Sequence, residues 1–222
     1  VDSRYKIGWF LENRGLNPVP YCRINSFIEH LDIVLTNDKK LLKDFPDKAK
    51  FVPFGGSWIQ ERNILIHPKN KLVSMIYSDK SSGLLGYRLR HAIAKKYSNI
   101  IDLFGSGSPN PVKFKEEALC DYRFTIVIEN VADNNYFTEK IVDPLLVGTV
   151  PIYWGCPNID DFFDSRGILN FTNGDFEKIF SELSEELYQK TLPHAKKNFN
   201  IAKKYEVTED WIYENILKGA YV

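Results

Sequence analysis

The chain has 222 residues, with 29 basic side chains against 29 acidic ones and 44% apolar residues. A balanced charge excludes a protein that holds nucleic acid chiefly by neutralising phosphates, but it leaves room for a local basic pocket around a small anion. The apolar share is enough to build the core of one large domain or two small ones. No stretch approaches the ~20 uninterrupted apolar residues of a membrane span, because the most apolar run, 141–154, is broken by Asp143, Pro144 and Pro151.

In chain order, residues 5–11 are apolar and end in Glu12-Asn13-Arg14-Gly15, which predicts a short buried strand running into a loop. Nothing before it reads as a signal peptide, and a chain opening on Val1 beside a strand points to further sequence upstream. Residues 31–35 form a second expected strand, 39–44 a short helix and 51–54 a third strand. From 57 to 70 no periodicity is visible, and this interval reads as the join between two domains. The second part alternates more regularly: strands at 72–77, 100–104, 124–128 and 149–153, and helices at 85–97, 114–119 and 137–147. Alternation of this kind predicts a parallel sheet covered on both faces, a Rossmann-like α/β domain. From Asp175 the tail is helical in three pieces. The three cysteines, Cys22, Cys120 and Cys156, are odd in number, far apart and without zinc-ligand spacing, so they read as reduced thiols.

In open parallel sheets, ligands bind beyond the carboxyl ends of the strands. That rule marks residues 78–90, 105–109, 129–140 and 154–158, and the third segment is the most informative. The apolar run Phe124-Thr-Ile-Val-Ile emits Glu129-Asn130, and after a polar loop Tyr136-Phe137-Thr138-Glu139-Lys140 opens a helix with Thr138 as its N-cap. A helix N-terminus presents free N–H groups and partial positive charge to an anion. Lys140 would add formal charge against a diphosphate, and Glu139 a carboxylate for ribose hydroxyls. Thr-Glu-Lys also occurs at ordinary surface helix starts, so the strand-end Glu129-Asn130 carries much of the weight. Arg88 and Arg90 suit phosphate, but at i and i+2 they do not share a helix face, and only one points to a site. Gly105-Ser106-Gly107 lacks the full dinucleotide fingerprint. Glu12, read alone, is a loop carboxylate. His30, His67, His91 and His194 form no visible pair.

The ordered run Phe124-Thr-Ile-Val-Ile-Glu-Asn-Val, Tyr136-Phe-Thr-Glu-Lys-Ile-Val-Asp and Gly148-Thr-Val-Pro-Ile-Tyr-Trp-Gly155 resembles the signature of the α1,3/1,4-fucosyltransferases, family 10 of the glycosyltransferases. That signature is a strand ending in Phe-x-Glu-Asn, then Tyr-x-Thr-Glu-Lys, then a Val/Ile-Pro-x-x-x-Gly turn. Lys71 to Ser78, Gly86-Tyr-Arg88-Leu-Arg90 and Ile101 to Gly105 look like the family too. The likeness covers roughly residues 70 to 172 well and the tail, through Asp210-Trp211, more loosely.

The resemblance implies an α/β GT-B-type glycosyltransferase, with a Rossmann-like C-terminal domain and a short, incomplete N-terminal α/β domain. The expected division is an acceptor-side part at 1–66, the nucleotide-sugar domain at 67–206 and a C-terminal helix at 207–222. It implies inverting transfer of fucose from GDP-fucose to a hydroxyl of an acceptor glycan, with α1,3 linkage favoured, as used in glycoprotein or surface-polysaccharide decoration. By position, Lys140 and an arginine, Arg88 in preference to Arg90, meet the diphosphate. Glu139 meets the ribose, and Asn130 and Tyr136 line the donor pocket together with Glu129 and Thr138. Glu12, at a strand end before Asn13, becomes the general base. The resemblance implies no required cofactor and no DxD metal site, manganese being at most stimulatory. The partners are a nucleotide-sugar donor and a glycan acceptor, not nucleic acid. Lacking a leader, the chain is expected in the cytoplasm of a bacterium or virus unless an upstream membrane anchor has been removed. The alternatives are the same fold with another nucleotide sugar, or a catalytically silent nucleotide- or glycan-binding module.

Overall fold

A computed structural model describes residues 6–218 of the chain. The apolar runs of the first part form three short parallel strands, β1 (Ile7–Trp9), β2 (Ile33–Thr36) and β3 (Ala49–Phe51), paired in that order. Helix α1 (Pro18–Arg23) follows β1 and α2 (Lys39–Asp44) follows β2. Asp38 caps α2 by accepting the Leu41 N–H at 2.8 Å. The expected third strand sits earlier than residues 51–54. Val52 still donates to Thr36 O at 3.0 Å, but Pro53 has no N–H with which to extend the ladder. Helix α1 was not expected, since no element is predicted between Gly15 and Leu31, and it begins at Pro18. At a first helical turn proline costs no hydrogen bond. Tyr5, at the head of the first expected strand, lies outside the described residues.

The larger sheet is also parallel: β4 (Lys71–Ile76), β5 (Asp102–Phe104), β6 (Tyr122–Ile128), β7 (Val150–Trp154) and β8 (Leu169–Asn170), in the order β5-β4-β6-β7-β8. Its connections and flanks are α3 (Leu85–Lys96), α4 (Glu116–Leu119), α5 (Glu139–Leu146), α6 (Phe176–Ser181) and α7 (Glu185–Ala202). The central strand β6 is apolar almost throughout because both of its faces are covered. Phe124, Ile126 and Ile128 pack with Ile93, Tyr97 and Tyr188 on one side. Val127 packs with Phe137, Ile141 and Leu145 on the other. Strand β5 is added on one side of β4 and β6 on the other, so the order reverses at β4.

The segment between the sheets is pinned to the larger domain by two carboxylates. Asp143 Oδ1 accepts from Ser57 Oγ at 3.0 Å and from Trp58 N–H at 2.8 Å. Glu116 Oε1 accepts from Gln60 N–H at 2.8 Å and Asn63 Nδ2 at 3.1 Å. The chain then crosses back. Helix α8 (Thr208–Ile212) and a final π-helical turn at Tyr213–Leu217 lay Trp211, Ile212, Ile216 and Leu217 against Trp9, Ile33, Leu35 and Val52. The expected C-terminal helix is therefore a cover for the smaller sheet. Among the described residues no helix is long and apolar enough to cross a membrane.

Lys69 closes the base of the larger domain. Its Nζ donates at 2.8 Å to each of Cys120 O, Val147 O and Thr149 Oγ1. Burial pulls the ammonium's pKa down to about 7. The two carbonyls, at the C-terminal ends of α4 and α5, favour a cation and oppose that cost. Lys69→Met is expected to destabilise the chain by ~3 kcal/mol, because buried acceptors lose their donor. The shift of the urea midpoint at constant slope measures it.

Candidate functional site

A cavity of about 250 Å³ opens beyond the carboxyl ends of β4 and β6, where the strand order reverses. Three of the four segments marked by the sequence supply its walls. Tyr77 and Ser78 follow β4, with Arg90 reaching in from α3. Gly105 and Ser106 follow β5, and Glu139 and Lys140 begin α5. Lys115, just before α4, and Asp143 complete the charged lining. The fourth segment acts from behind. A Cβ at Gly155 would fall 2.5 Å from Glu129 Cγ, so only glycine lets that side chain lie where it does.

Strand β6 delivers Glu129 to a position with 0% exposure. The Thr138 N–H donates to its Oε1 at 2.9 Å and the Thr138 hydroxyl to its Oε2 at 2.9 Å. Lys140 Nζ lies 3.6 Å from Oε2 and donates to the Thr138 hydroxyl at 3.0 Å. Thr138 is thus both the N-cap of α5, accepting the Lys140 N–H at 3.3 Å, and the hinge between a buried carboxylate and a cation. Burial pushes the Glu129 pKa up against the pull of Lys140. Burial opposes the charge on Lys140 as well, yet Glu129 and Glu139 outweigh it and hold the ammonium above its ordinary value. For Glu139, burial is outweighed by Lys140 and Lys115, which keep the carboxyl below its usual range. The group is a charged cluster of two carboxylates and two lysines, poised at a helix N-terminus.

Arg90 owes its place to Gly86. A Cβ on Gly86 would fall 1.9 Å from Glu129 O, and the Gly86 N–H donates to Asn130 O at 3.2 Å, so α3 starts in backbone contact with the end of β6. One turn later Arg90, buried, donates from Nε and Nη2 to Ile128 O at 2.9 and 2.7 Å, and from Nη2 to Asn130 Oδ1. Arg88, two residues earlier on the helix, is exposed and takes no part in the cavity wall. The preference for Arg88 over Arg90 is therefore reversed. The physical reason is helix phase, since α3 docks through Gly86 and the residue one turn on is the one that faces the strand end. Of the four residues expected to line the pocket, Glu129, Asn130, Tyr136 and Thr138, none is in the cavity wall, and Glu129 and Thr138 lie behind Lys140. Tyr136 does not line the cavity; it is 3% exposed and packs edge-on against Phe54, their ring centres 5.6 Å apart. Asn130 stands behind Arg90 and orients it.

Glu12 lies in a different place. It is exposed at the end of β1 and lines a second cavity of about 480 Å³ in the smaller domain, together with Leu11, Asn17 and Tyr21. The Tyr21 hydroxyl donates to Glu12 O at 2.5 Å. Its neighbour Asn13 reaches across the domains, donating from Nδ2 to Asp133 Oδ2 at 2.9 Å. The end of β1 therefore abuts the loop that follows Glu129. Lys115 and Asp143 escaped notice in the sequence. Lys115 sits in what looks like a surface charge run. A lone acid one turn after Glu139 in an otherwise apolar helix was the available signal for Asp143. Among the described residues, no group of three or more His, Cys, Asp or Glu side chains is placed to hold a metal ion.

Residues 66–215 match the family model described as glycosyltransferase family 10 (fucosyltransferase) C-term. The chain belongs to this family. Similar proteins include the alpha-(1,3)-fucosyltransferase FucT of Helicobacter pylori, 35% identical over 123 residues, which are 53% of this chain and 24% of the relative. The alpha-(1,3)-fucosyltransferase B of Drosophila melanogaster is 29% identical over 117 residues, 51% of this chain and 25% of the relative. The chain thus spans about a quarter of the length of these curated relatives. A solved alpha1,3-fucosyltransferase with GDP-fucose superposes with a TM-score of 0.62 at 18% identity, covering 92% of this chain and 75% of that one. TarM superposes at 0.57 with 12% identity, over 99% of this chain and 50% of that one. These likenesses establish the GT-B arrangement of two parallel-sheet domains for this family 10 chain.

Proposed function

We propose that the chain is an inverting fucosyltransferase, moving fucose from GDP-fucose to a hydroxyl of an acceptor glycan in α1,3 linkage. The observation that carries this reading is the cavity at the switch point, where Lys140 and Arg90 flank the space and Glu139 stands beside them. Among the described residues Arg90 commits Nε and Nη2 to protein acceptors, which leaves Nη1 for a phosphate oxygen. Membership of family 10 and the solved relative with GDP-fucose support GDP-fucose as the donor.

In this reading Lys140 and Arg90 meet the diphosphate and Glu139 accepts from the ribose hydroxyls. Glu129, Thr138 and Asn130 hold those groups in place, and Tyr136 buttresses the loop. Glu12 takes the proton from the acceptor hydroxyl as that oxygen attacks the anomeric carbon of fucose. The bond from that carbon to the β-phosphate oxygen breaks on the opposite face, so configuration inverts in one displacement. The charge that gathers on GDP is met by side-chain cations, and manganese is at most a stimulant.

Calorimetric titration with GDP-fucose, GDP-mannose and UDP-galactose tests the donor. Selective binding of GDP-fucose is expected; equal binding of all three, or of none, overturns it. Glu12→Gln is expected to lower transfer about 100-fold or more while GDP-fucose affinity stays within about threefold of the parent. A parent chain that binds the donor and transfers nothing to any glycan offered would instead be a binding module.

A further inference from the structure

We propose that Lys115 is a positioning residue, which holds the Glu139 carboxylate toward the ribose of the bound nucleotide while Asp143 anchors Lys115. The inference rests on the reading of the cavity as a nucleoside-diphosphate site.

Glu139 and Asp143 are one turn apart on α5 and so share a face. The Lys115 ammonium lies between them, 2.6 Å from Asp143 Oδ2 and 3.8 Å from Glu139 Oε1. Asp143 is 1% exposed, and its other oxygen is taken by Ser57 and Trp58. It therefore cannot swing, and the ammonium it holds is fixed as well. Lys140 also falls on Oε1 of Glu139, at 3.3 Å. Both cations face the same oxygen, and among the described residues Oε2 has no hydrogen-bond partner, which leaves it as the acceptor for ligand hydroxyls.

The two lysines are not equivalent. Lys140 begins α5 beside the buried Glu129, and a diphosphate entering the cavity draws its ammonium away from Glu139. Lys115, locked to a buried carboxylate, does not follow. With ligand present it is the cation that keeps Glu139 ionised and aimed, at the moment when Glu129 and the phosphates all repel it. Burial alone would favour a protonated Glu139, and Lys115 and Lys140 are the charges that prevent this. A protonated carboxyl accepts weakly from a diol.

The test compares GDP with 2′,3′-dideoxy-GDP, which keeps the base and both phosphates and lacks only the ribose hydroxyls. Calorimetry on the parent chain is expected to show GDP bound about tenfold or more tightly than the dideoxy nucleotide. Lys115→Gln is expected to remove most of that preference while dideoxy-GDP affinity stays within about threefold, and Lys115→Arg is expected to retain it. An equal loss for both nucleotides in Lys115→Gln would make Lys115 a phosphate ligand or a structural strut, and an intact preference would make it idle; either overturns the inference. Asp143→Asn supplies an independent arm if Lys115→Gln does not fold. Its Oδ1 still holds Ser57 and Trp58, but the amide cannot hold the ammonium. A smaller loss of preference is expected, and an unchanged preference overturns the anchoring role. A parent chain with no preference for GDP refutes the ribose role of Glu139, and one that binds neither nucleotide refutes the nucleotide site.

Discussion

Lys140→Ala is expected to weaken GDP-fucose binding by about 100-fold or more, and to destabilise the folded chain at the same time. Two separate losses produce this. One is direct, since a cation aimed at the diphosphate disappears. The other is internal. Glu129 has 0% exposure, and Lys140 is the nearest formal charge of opposite sign to it, at 3.6 Å. Without Lys140 the carboxylate keeps, among the described residues, the Thr138 N–H and hydroxyl as its donors. A buried charge stripped of its partner costs about 3 kcal/mol or takes up a proton instead. Lys140→Met keeps the stem and its packing, so equal losses in the two variants would assign both effects to the missing charge rather than to the truncated side chain. Calorimetry reads the affinity and urea unfolding the stability. An affinity within about threefold of the parent, with the parent itself binding, would remove Lys140 from the site.

Gly86→Ala is expected to cost about 3 kcal/mol of stability and to abolish nucleotide binding without touching any charged group. The new Cβ would stand 1.9 Å from Glu129 O and 2.7 Å from Asn130 O. These are backbone atoms at the end of the central strand, so no side-chain rotation relieves the overlap. The helix has to withdraw. Arg90 then loses its two bonds to Ile128 O and its contact with Asn130, and leaves the cavity wall. A nearby control is Gly83→Ala, where a Cβ meets nothing within 4 Å, and it should behave as the parent. Equal Tm and equal affinity for the two variants would show that α3 docks differently.

Much of the site was legible in the sequence because its parts are local. Glu129-Asn130 at the end of an apolar strand, and Thr138-Glu139-Lys140 at a capped helix start, depend only on neighbours in the chain. The structure places these in one cluster with the bonds such a strand end and helix start would give. What failed was phase and depth. Whether Arg88 or Arg90 faces the strand depends on how α3 docks, and Gly86 decides that through atoms about forty residues away. The family resemblance alone put Tyr136 in the pocket lining; its packing partner Phe54 follows β3 and arrives from the other side of the join. Asp143 was passed over for the same reason, since its partners Ser57 and Trp58 lie on the connecting segment, and Lys115 because the carboxylate that anchors it, Asp143, is on α5. Strand ends erred by a few residues where proline or the ladder partner set the limit, as at Val52-Pro53.

The return of α8 to the smaller sheet has a consequence for biosynthesis. On the ribosome, β1, β2 and β3 emerge before the larger domain, but the side chains that cover Leu35 and Val52 are in the last described turns of the chain, Trp211 to Leu217. The smaller sheet therefore waits, with an apolar face bare, until the whole larger domain has been made. Contacts between such distant parts of the chain close slowly, and an uncovered sheet is prone to self-association in the interval. Of the two sheets, the one made earlier is the one completed later.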